Sequence, residues 1–254
     1  MGKIGIIGGS GLENPDIIQN PEEVTVRTPY GDPSSTLTVG DIGGVSVVIL
    51  SRHDRDHRLP PTQIPNRANV QALKDLGCTH VIATTAVGSL RESIGRGHFV
   101  ILDQFIDFTR RRDVTVFDSF ADGMHHTPMA EPFDSMMREL LFQTAQSQGI
   151  PVHERGTVVT IEGPRFSTRA ESHMFRAWGA DVINMSTAPE CIIANELGIP
   201  YAAVAMSTDY DCWKEDEEPV TWQAVLEIFR QNASRMTDLL VAVIPRIAEL
   251  ASAD

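Results

Sequence analysis

Two carboxylates end a short run, Tyr201-Ala202-Ala203-Val204-Ala205-Met206-Ser207-Thr208-Asp209-Tyr210-Asp211. Gly198 and Pro200 precede it, and its apolar first half reads as a buried strand. In open α/β folds ligands sit outside the carboxyl ends of strands, so Asp209 and Asp211 stand where a small molecule would bind. On an extended chain these side chains, at i and i+2, point the same way. Carboxyls that close repel, which raises at least one pKa. A carboxyl kept protonated near neutral pH can donate a hydrogen bond or a proton. Alone, such a pair is more often a solvated acidic turn. The other strand ends tip the balance toward chemistry.

Lys3 to Leu12 is a strand running into the turn Gly8-Gly9-Ser10-Gly11. Its glycines can expose N–H groups to an anion, and Ser10 adds a hydroxyl. The pattern is neither GxGxxG nor a Walker loop with its lysine, and a plain tight turn fits it equally well. Val45 to Leu50 ends at Ser51-Arg52-His53, a cation and an imidazole suited to an oxyanion such as phosphate. His53 and His57 at i and i+4 make a weak metal signal, since a catalytic Glu and a third ligand are missing. Val81-Ile82-Ala83 is expected to end in Thr84-Thr85-Ala86-Val87-Gly88-Ser89-Leu90, hydroxyls and small residues at a strand end. Gly156 to Ile161 ends at Glu162-Gly163-Pro164-Arg165-Phe166-Ser167. An aromatic beside such a turn can stack on a planar ligand, although an isolated Phe is more often core. Asp181 to Thr187 is one more apolar run with a polar end, including Met185 and Ser186.

The elements that must position these groups follow from periodicity and breakers. Helices are expected over Pro65–Gly77, Met136–Gln148 (Leu140, Leu141 and Ala145 inward), Thr168–Trp178 and Pro189–Leu197. Val220 to Leu250 is a further helix packing the outside, with a kink or break at Pro245. Arg110 to His126 is polar and aperiodic, an excursion that would serve as a lid or subunit contact. Its Arg110-Arg111-Arg112 run is expected to be solvated or interfacial. Six or seven strands alternate with helices and no linker divides the chain. The expected fold is a single α/β domain over residues 1–254, with a twisted mixed or mostly parallel central sheet flanked by helices.

Composition narrows the function classes. The 254 residues hold 34 acidic and 21 basic side chains, a formal charge of -13. That argues against a general nucleic-acid or anionic-membrane surface, though not against a local basic pocket. Cys78, Cys191 and Cys212 are scattered, form no CxxC pair, and are expected to be small buried hydrophobes in a reducing compartment. With no leader-like start and no run of transmembrane length, a soluble cytoplasmic protein is expected.

The set of strand ends resembles the methylthioadenosine phosphorylases of the trimeric purine nucleoside phosphorylase superfamily, from about Lys3 to Pro245. The stretches are Ile6-Ile7-Gly8-Gly9-Ser10-Gly11-Leu12, Ser51-Arg52-His53, Thr84-Thr85-Ala86, Asp103-Gln104-Phe105-Ile106-Asp107, Pro128-Met129-Ala130-Glu131-Pro132-Phe133, Thr160 to Ser167, Asp181 to Ser186 and Thr208 to Trp213. The resemblance implies phosphorolysis of 5′-methylthioadenosine to adenine and 5-methylthioribose 1-phosphate, with inorganic phosphate as co-substrate and no metal or organic cofactor. It puts Ser10, Arg52, His53, Thr85, Ala86 and Ser186 around phosphate and Met185 along the ribose. Phe166 falls by the base, and Ser167, Asp209 and Asp211 at the purine edge. Trp222, Val225 and Leu226 would enclose the 5′-substituent, and His126 would reach the neighbouring subunit's site in a homotrimer or homohexamer. Ser10 and Ser186 stand where threonines are common. Pro65-Asn66-Arg67-Ala68-Asn69 replaces Asn-Tyr-x-Ala-Asn, altering a pair expected near the sugar. Trp222 replaces a small aliphatic. A phosphorylase preferring 6-oxopurine nucleosides, a hydrolytic nucleosidase and a non-catalytic nucleoside-binding protein are the competing readings.

Overall fold

In the computed structural model, residues 2–8, 17–121, 123–216 and 221–250 are described. The strands are β1 (Lys3–Gly8), β2 (Gln19–Val24), β3 (Leu37–Ile42), β4 (Val45–Ser51), β5 (Cys78–Ser89), β6 (Phe99–Ile101), β7 (Gln104–Phe108), β8 (Val152–His153), β9 (Thr157–Ile161), β10 (Val182–Asn184) and β11 (Tyr201–Asp209). The helices are α1 (Asn66–Asp75), α2 (Ser135–Ser147), α3 (Arg169–Ala177), α4 (Thr187–Glu196) and α5 (Trp222–Leu250). All the strands join one mixed sheet in the order β2-β3-β4-β1-β5-β10-β9-β7. β11 lies on the opposite edge of β5, with β6 and β8 beyond it.

β5 is the axis of this arrangement. Its β-branched residues Thr79, Val81, Ile82, Thr84, Thr85 and Val87 favour a long extended strand. One edge pairs with β1 in parallel as far as Ala83. The same edge then pairs with β10 antiparallel at Gly88 and Ser89. Between those stretches, Thr84 to Val87 has no strand partner on that edge among the described residues. The opposite edge is closed by β11, from Tyr201 opposite Val81 to Ser207 opposite Val87. A gap in the ladder therefore opens at Thr84-Thr85-Ala86. β5 runs through these residues to Ser89, within the Thr84 to Leu90 stretch where the sequence placed the end of the strand.

Helices cover both faces of the sheet. α5 presents Phe229, Met236, Leu239, Leu240, Val243, Ile244 and Ile247 at helical spacing to one face, alongside Met137, Leu141 and Ala145 of α2. Leu140, expected to point inward, is only half-buried at the margin of this cluster. Val70 and Leu73 of α1 and Cys191, Ile193 and Ala194 of α4 cover the other face. α2 is capped by Asp134, whose carboxylate accepts from Met137 N at 2.8 Å. Thr168 and Glu171 form a reciprocal cap that starts α3 beside the Phe166 turn. Helix α5 continues through Pro245 to Leu250 rather than breaking there. No helix among the described residues is long and apolar enough to cross a membrane.

Candidate active site

A cavity of about 630 Å³ opens beneath the gap in β5, rimmed by the carboxyl ends of β4, β9, β10 and β11. It brings together Arg52, His53, Thr85, Ala86, Phe166, Ser167, Met185, Ser186, Asp209, Asp211 and Val225. Other nominated residues lie elsewhere. His126 is exposed on the excursion, with its ring 5.7 Å from that of Phe120. Leu226 is half-buried and does not line the cavity. Ser10 and the side chain of Trp222 lie outside the described residues.

Hydroxyls and an arginine make one end of the cavity. Thr85 Oγ1 lies 3.3 Å from Ser186 Oγ. Asn184 holds the pair in place: its Nδ2 donates to Thr85 Oγ1 at 3.2 Å, and its Oδ1 accepts from Thr160 Oγ1 at 2.8 Å. Ser186 is the N-cap residue of α4, yet its side chain makes no capping bond. Ser186 lines the cavity, so its hydroxyl and the start of α4 stand at its wall, where a helix N-terminus favours an anion, although the Ala188 N–H already donates to Thr160 Oγ1 at 3.1 Å. Arg52 is buried and donates from Nη1 to the Thr84 carbonyl at 2.9 Å. Its Nε and Nη2 grip the buried Glu190 carboxylate, which also accepts from the Tyr201 hydroxyl at 3.0 Å. Only a planar guanidinium can make this fork. His53 donates from Nδ1 to the Leu59 carbonyl at 2.9 Å, and its ring stacks on His57 with centroids 4.5 Å apart.

The other end is acidic and hydrophobic. Asp209 accepts from Thr208 Oγ1 and from the Asp211 N–H, both at 2.8 Å. Burial pushes its pKa up to about 6, despite those two bonds. Burial also raises the pKa of Asp211, against the serine hydroxyls of Ser172 and Ser167 beside it. The two carboxyls do not share the face of one extended strand, as the sequence had them. β11 ends at Asp209, and Asp211 takes φ 47° as the chain folds into a short 3-10 turn. They converge because the Asp211 N–H folds back onto Asp209. Phe166 is 43% exposed at the cavity wall, so it is not a core residue. Gly163 has φ 66°, and a Cβ there would come within 2.4 Å of Met185 Sδ, so glycine is required for Met185 to lie along the wall.

Several groups here left no trace in the sequence pattern. Glu190 is 138 positions from Arg52 in the chain, and it lies inside an otherwise unremarked helix. Asn184 and Tyr201 had no local signal beyond a strand terminus. Arg112 departs from the solvated or interfacial reading of its run, since its side chain is only 1% exposed and is paired with Glu162, while Arg110 and Arg111 are exposed. Pro65 and Asn66 line a second pocket with Arg67, Arg111 and Arg112 instead of the cavity. Their departure therefore sits away from the place expected for the sugar.

The family model described as the phosphorylase superfamily matches residues 3–245. The chain belongs to the phosphorylase superfamily. It is 53% identical to the S-methyl-5′-thioadenosine phosphorylase of Danio rerio, over 98% of this chain and 90% of that protein. The corresponding enzyme of Xenopus tropicalis is 54% identical, with the same 98% and 90% coverage. Among solved structures, methylthioadenosine phosphorylase from Schistosoma mansoni in complex with adenine aligns with a TM-score of 0.93 at 43% identity, covering 98% of this chain and 93% of that one. A mutant of the adenosine/methylthioadenosine phosphorylase of that organism, in complex with methylthioadenosine, aligns with a TM-score of 0.92 at 42% identity, covering 98% and 92%.

Proposed function

We propose that the chain catalyses phosphorolysis of 5′-methylthioadenosine, giving adenine and 5-methylthioribose 1-phosphate. The observation behind this is one cavity with hydroxyls, Arg52 and a helix N-terminus at one end and a high-pKa carboxyl at the other. The chain is also about half identical to phosphorylases named for that substrate.

Cleavage of the C1′–N9 bond develops oxocarbenium character on the sugar and negative charge on the base. A phosphate oxygen held near C1′ stabilises the cation and then bonds to it. Thr85, Ser186, Arg52, His53 and the backbone around Ala86 position that phosphate, and Ser10 belongs with them. Because Glu190 neutralises Arg52, the arginine supplies oriented donors more than net charge. The electron pair of the broken bond moves into the purine, and protonated Asp209 donates to N7 as adenine leaves. With its pKa raised to about 6, part of the population carries that proton near neutral pH, far more than an ordinary aspartate would. Asp211 accepts from the 6-amino group, and Ser167 lies beside it. Phe166 packs on the base, Met185 runs along the ribose, and Val225 lies against the methylthio group. No metal or organic cofactor enters these steps. His126 acts in the cavity of a neighbouring copy within a homotrimer, a reading supported by exposed Phe120 and Met124 on the same excursion.

Base release from methylthioadenosine and methylthioinosine, each with and without phosphate, tests this reading. Adenine release that requires phosphate is expected, with the 6-oxo substrate slower by about tenfold or more because oxygen then faces Asp211. Faster turnover of methylthioinosine, or release independent of phosphate, overturns it.

A further inference from the structure

Arg112 is a buried cation that the mechanism above leaves unused. Its Nε donates to Glu162 Oε1 at 2.9 Å. Its Nη2 donates to the Glu162 carbonyl at 2.7 Å and to the Met185 carbonyl at 3.2 Å. Glu162 Oε2 in turn accepts from the backbone N–H groups of Arg110 and Arg111, at 2.6 and 3.1 Å. Burial alone would raise the Glu162 pKa, but these bonds outweigh it and hold the carboxyl ionised below its ordinary range.

The placement of the two carbonyls is what matters. Glu162 is the first residue after β9, and Met185 is the first after β10. These strands are parallel neighbours, with Thr160 opposite Asn184. Beyond their ends the two chains separate. One makes the turn that presents Phe166 and Ser167, and the other continues through Met185 into α4. Among the described residues the ladder between them ends at that pair, with the Thr160 hydroxyl also accepting from the Ala188 N–H at 3.1 Å, and the Gly163–Met185 approach leaves little slack. A single guanidinium spans both exits and ties them to the root of the excursion.

We propose that Arg112 is a positioning residue for the nucleoside half of the site, fixing the Phe166–Ser167 turn relative to Met185. This rests on the phosphorolysis reading. The phosphate half has its own fastenings, Asn184 on Thr85 and Glu190 on Arg52, so losing Arg112 affects the two substrates unequally.

The experiment is initial-rate kinetics on the full chain, with both substrates varied, for wild type, Arg112→Met, Arg112→Lys, Glu162→Gln and Arg111→Ala. Wild-type phosphate-dependent adenine release is measured first, so a failure of the parent reading shows there and not in the variants. Arg112→Met is expected to raise the nucleoside KM by about tenfold or more while the phosphate KM stays within about twofold. Arg112→Lys should recover part of the loss, because an ammonium can reach some of the same acceptors. Arg111→Ala, whose side chain makes none of these bonds, should match wild type. Unchanged nucleoside KM in soluble Arg112→Met, or equal increases in both KM values, overturns the proposal. Should Arg112→Met fail to fold, Glu162→Gln decides: a smaller rise confined to the nucleoside KM supports it, and none or an equal rise refutes it.

Discussion

Replacing Asp209 by Asn should stabilise the protein at neutral pH while disabling it. The carboxyl of Asp209 has its ordinary pKa of 3.8 in the unfolded chain and about 6 in the fold, because burial disfavours the charge. Between those values the folded state holds the proton that the unfolded state has lost. Its contribution is therefore fully present below pH 3.8 and is lost as pH rises through 6. A shift of about two units corresponds to about 3 kcal/mol. Asparagine has no such titration, and carboxylates common to both proteins largely cancel in the difference. Denaturant unfolding of wild type and Asp209→Asn from pH 4 to pH 8, at one fixed protein concentration, measures it. The stability of the variant relative to wild type should grow by about 2 kcal/mol between pH 4 and pH 7, then level off. Adenine release by the variant should fall by about 10²-fold or more, the usual contribution of a general acid. A stability difference that stays flat across that range would refute the claim that the fold raises the Asp209 pKa.

Glu190→Ala leaves Arg52 charged and buried without its carboxylate, which should cost about 3–5 kcal/mol of stability and raise the phosphate KM. A variant as stable as wild type in thermal unfolding would contradict that role. Gly88→Ala adds a Cβ 2.9 Å from Asp209 Oδ1 and 3.0 Å from Ile183 Cγ2. It should displace the acid and lower kcat by roughly tenfold to a hundredfold with little change in phosphate KM, and an unchanged kcat would argue against the placement of Asp209.

The strand termini were legible because each buried run gives way abruptly to Ser, Thr, Arg, Met or Asp. That pattern survives translation into three dimensions, since parallel strands gather their ends on one rim. Other features depend on distant partners and left no local mark. The pairing of Arg52 with Glu190 joins β4's end to α4, and neither segment announces the other. The strand β2 escaped notice because Pro21, Glu22 and Glu23 look like a loop, a composition that suits an exposed edge. Arg112 looked solvated or interfacial because a run of arginines normally is, and its partners Glu162 and Met185 lie far along the chain, just past β9 and β10. The Asp209–Asp211 pair was found for a reason that proved incomplete. The structure joins them through a turn at Asp211 with positive φ, not through strand alternation. Trp222 and Ser10 fall where side-chain placement is outside the described residues, so their expected roles rest on the resemblance and the proposed mechanism.

The most direct test of the account counts phosphate. With methylthioadenosine as substrate, inorganic phosphate consumed and adenine released are measured in the same reaction mixture. One phosphate consumed for each adenine, appearing as a sugar 1-phosphate, is the predicted result. Adenine formed with no phosphate consumed would mean that water attacks C1′, and that the hydroxyl and arginine end of the cavity has been assigned the wrong partner.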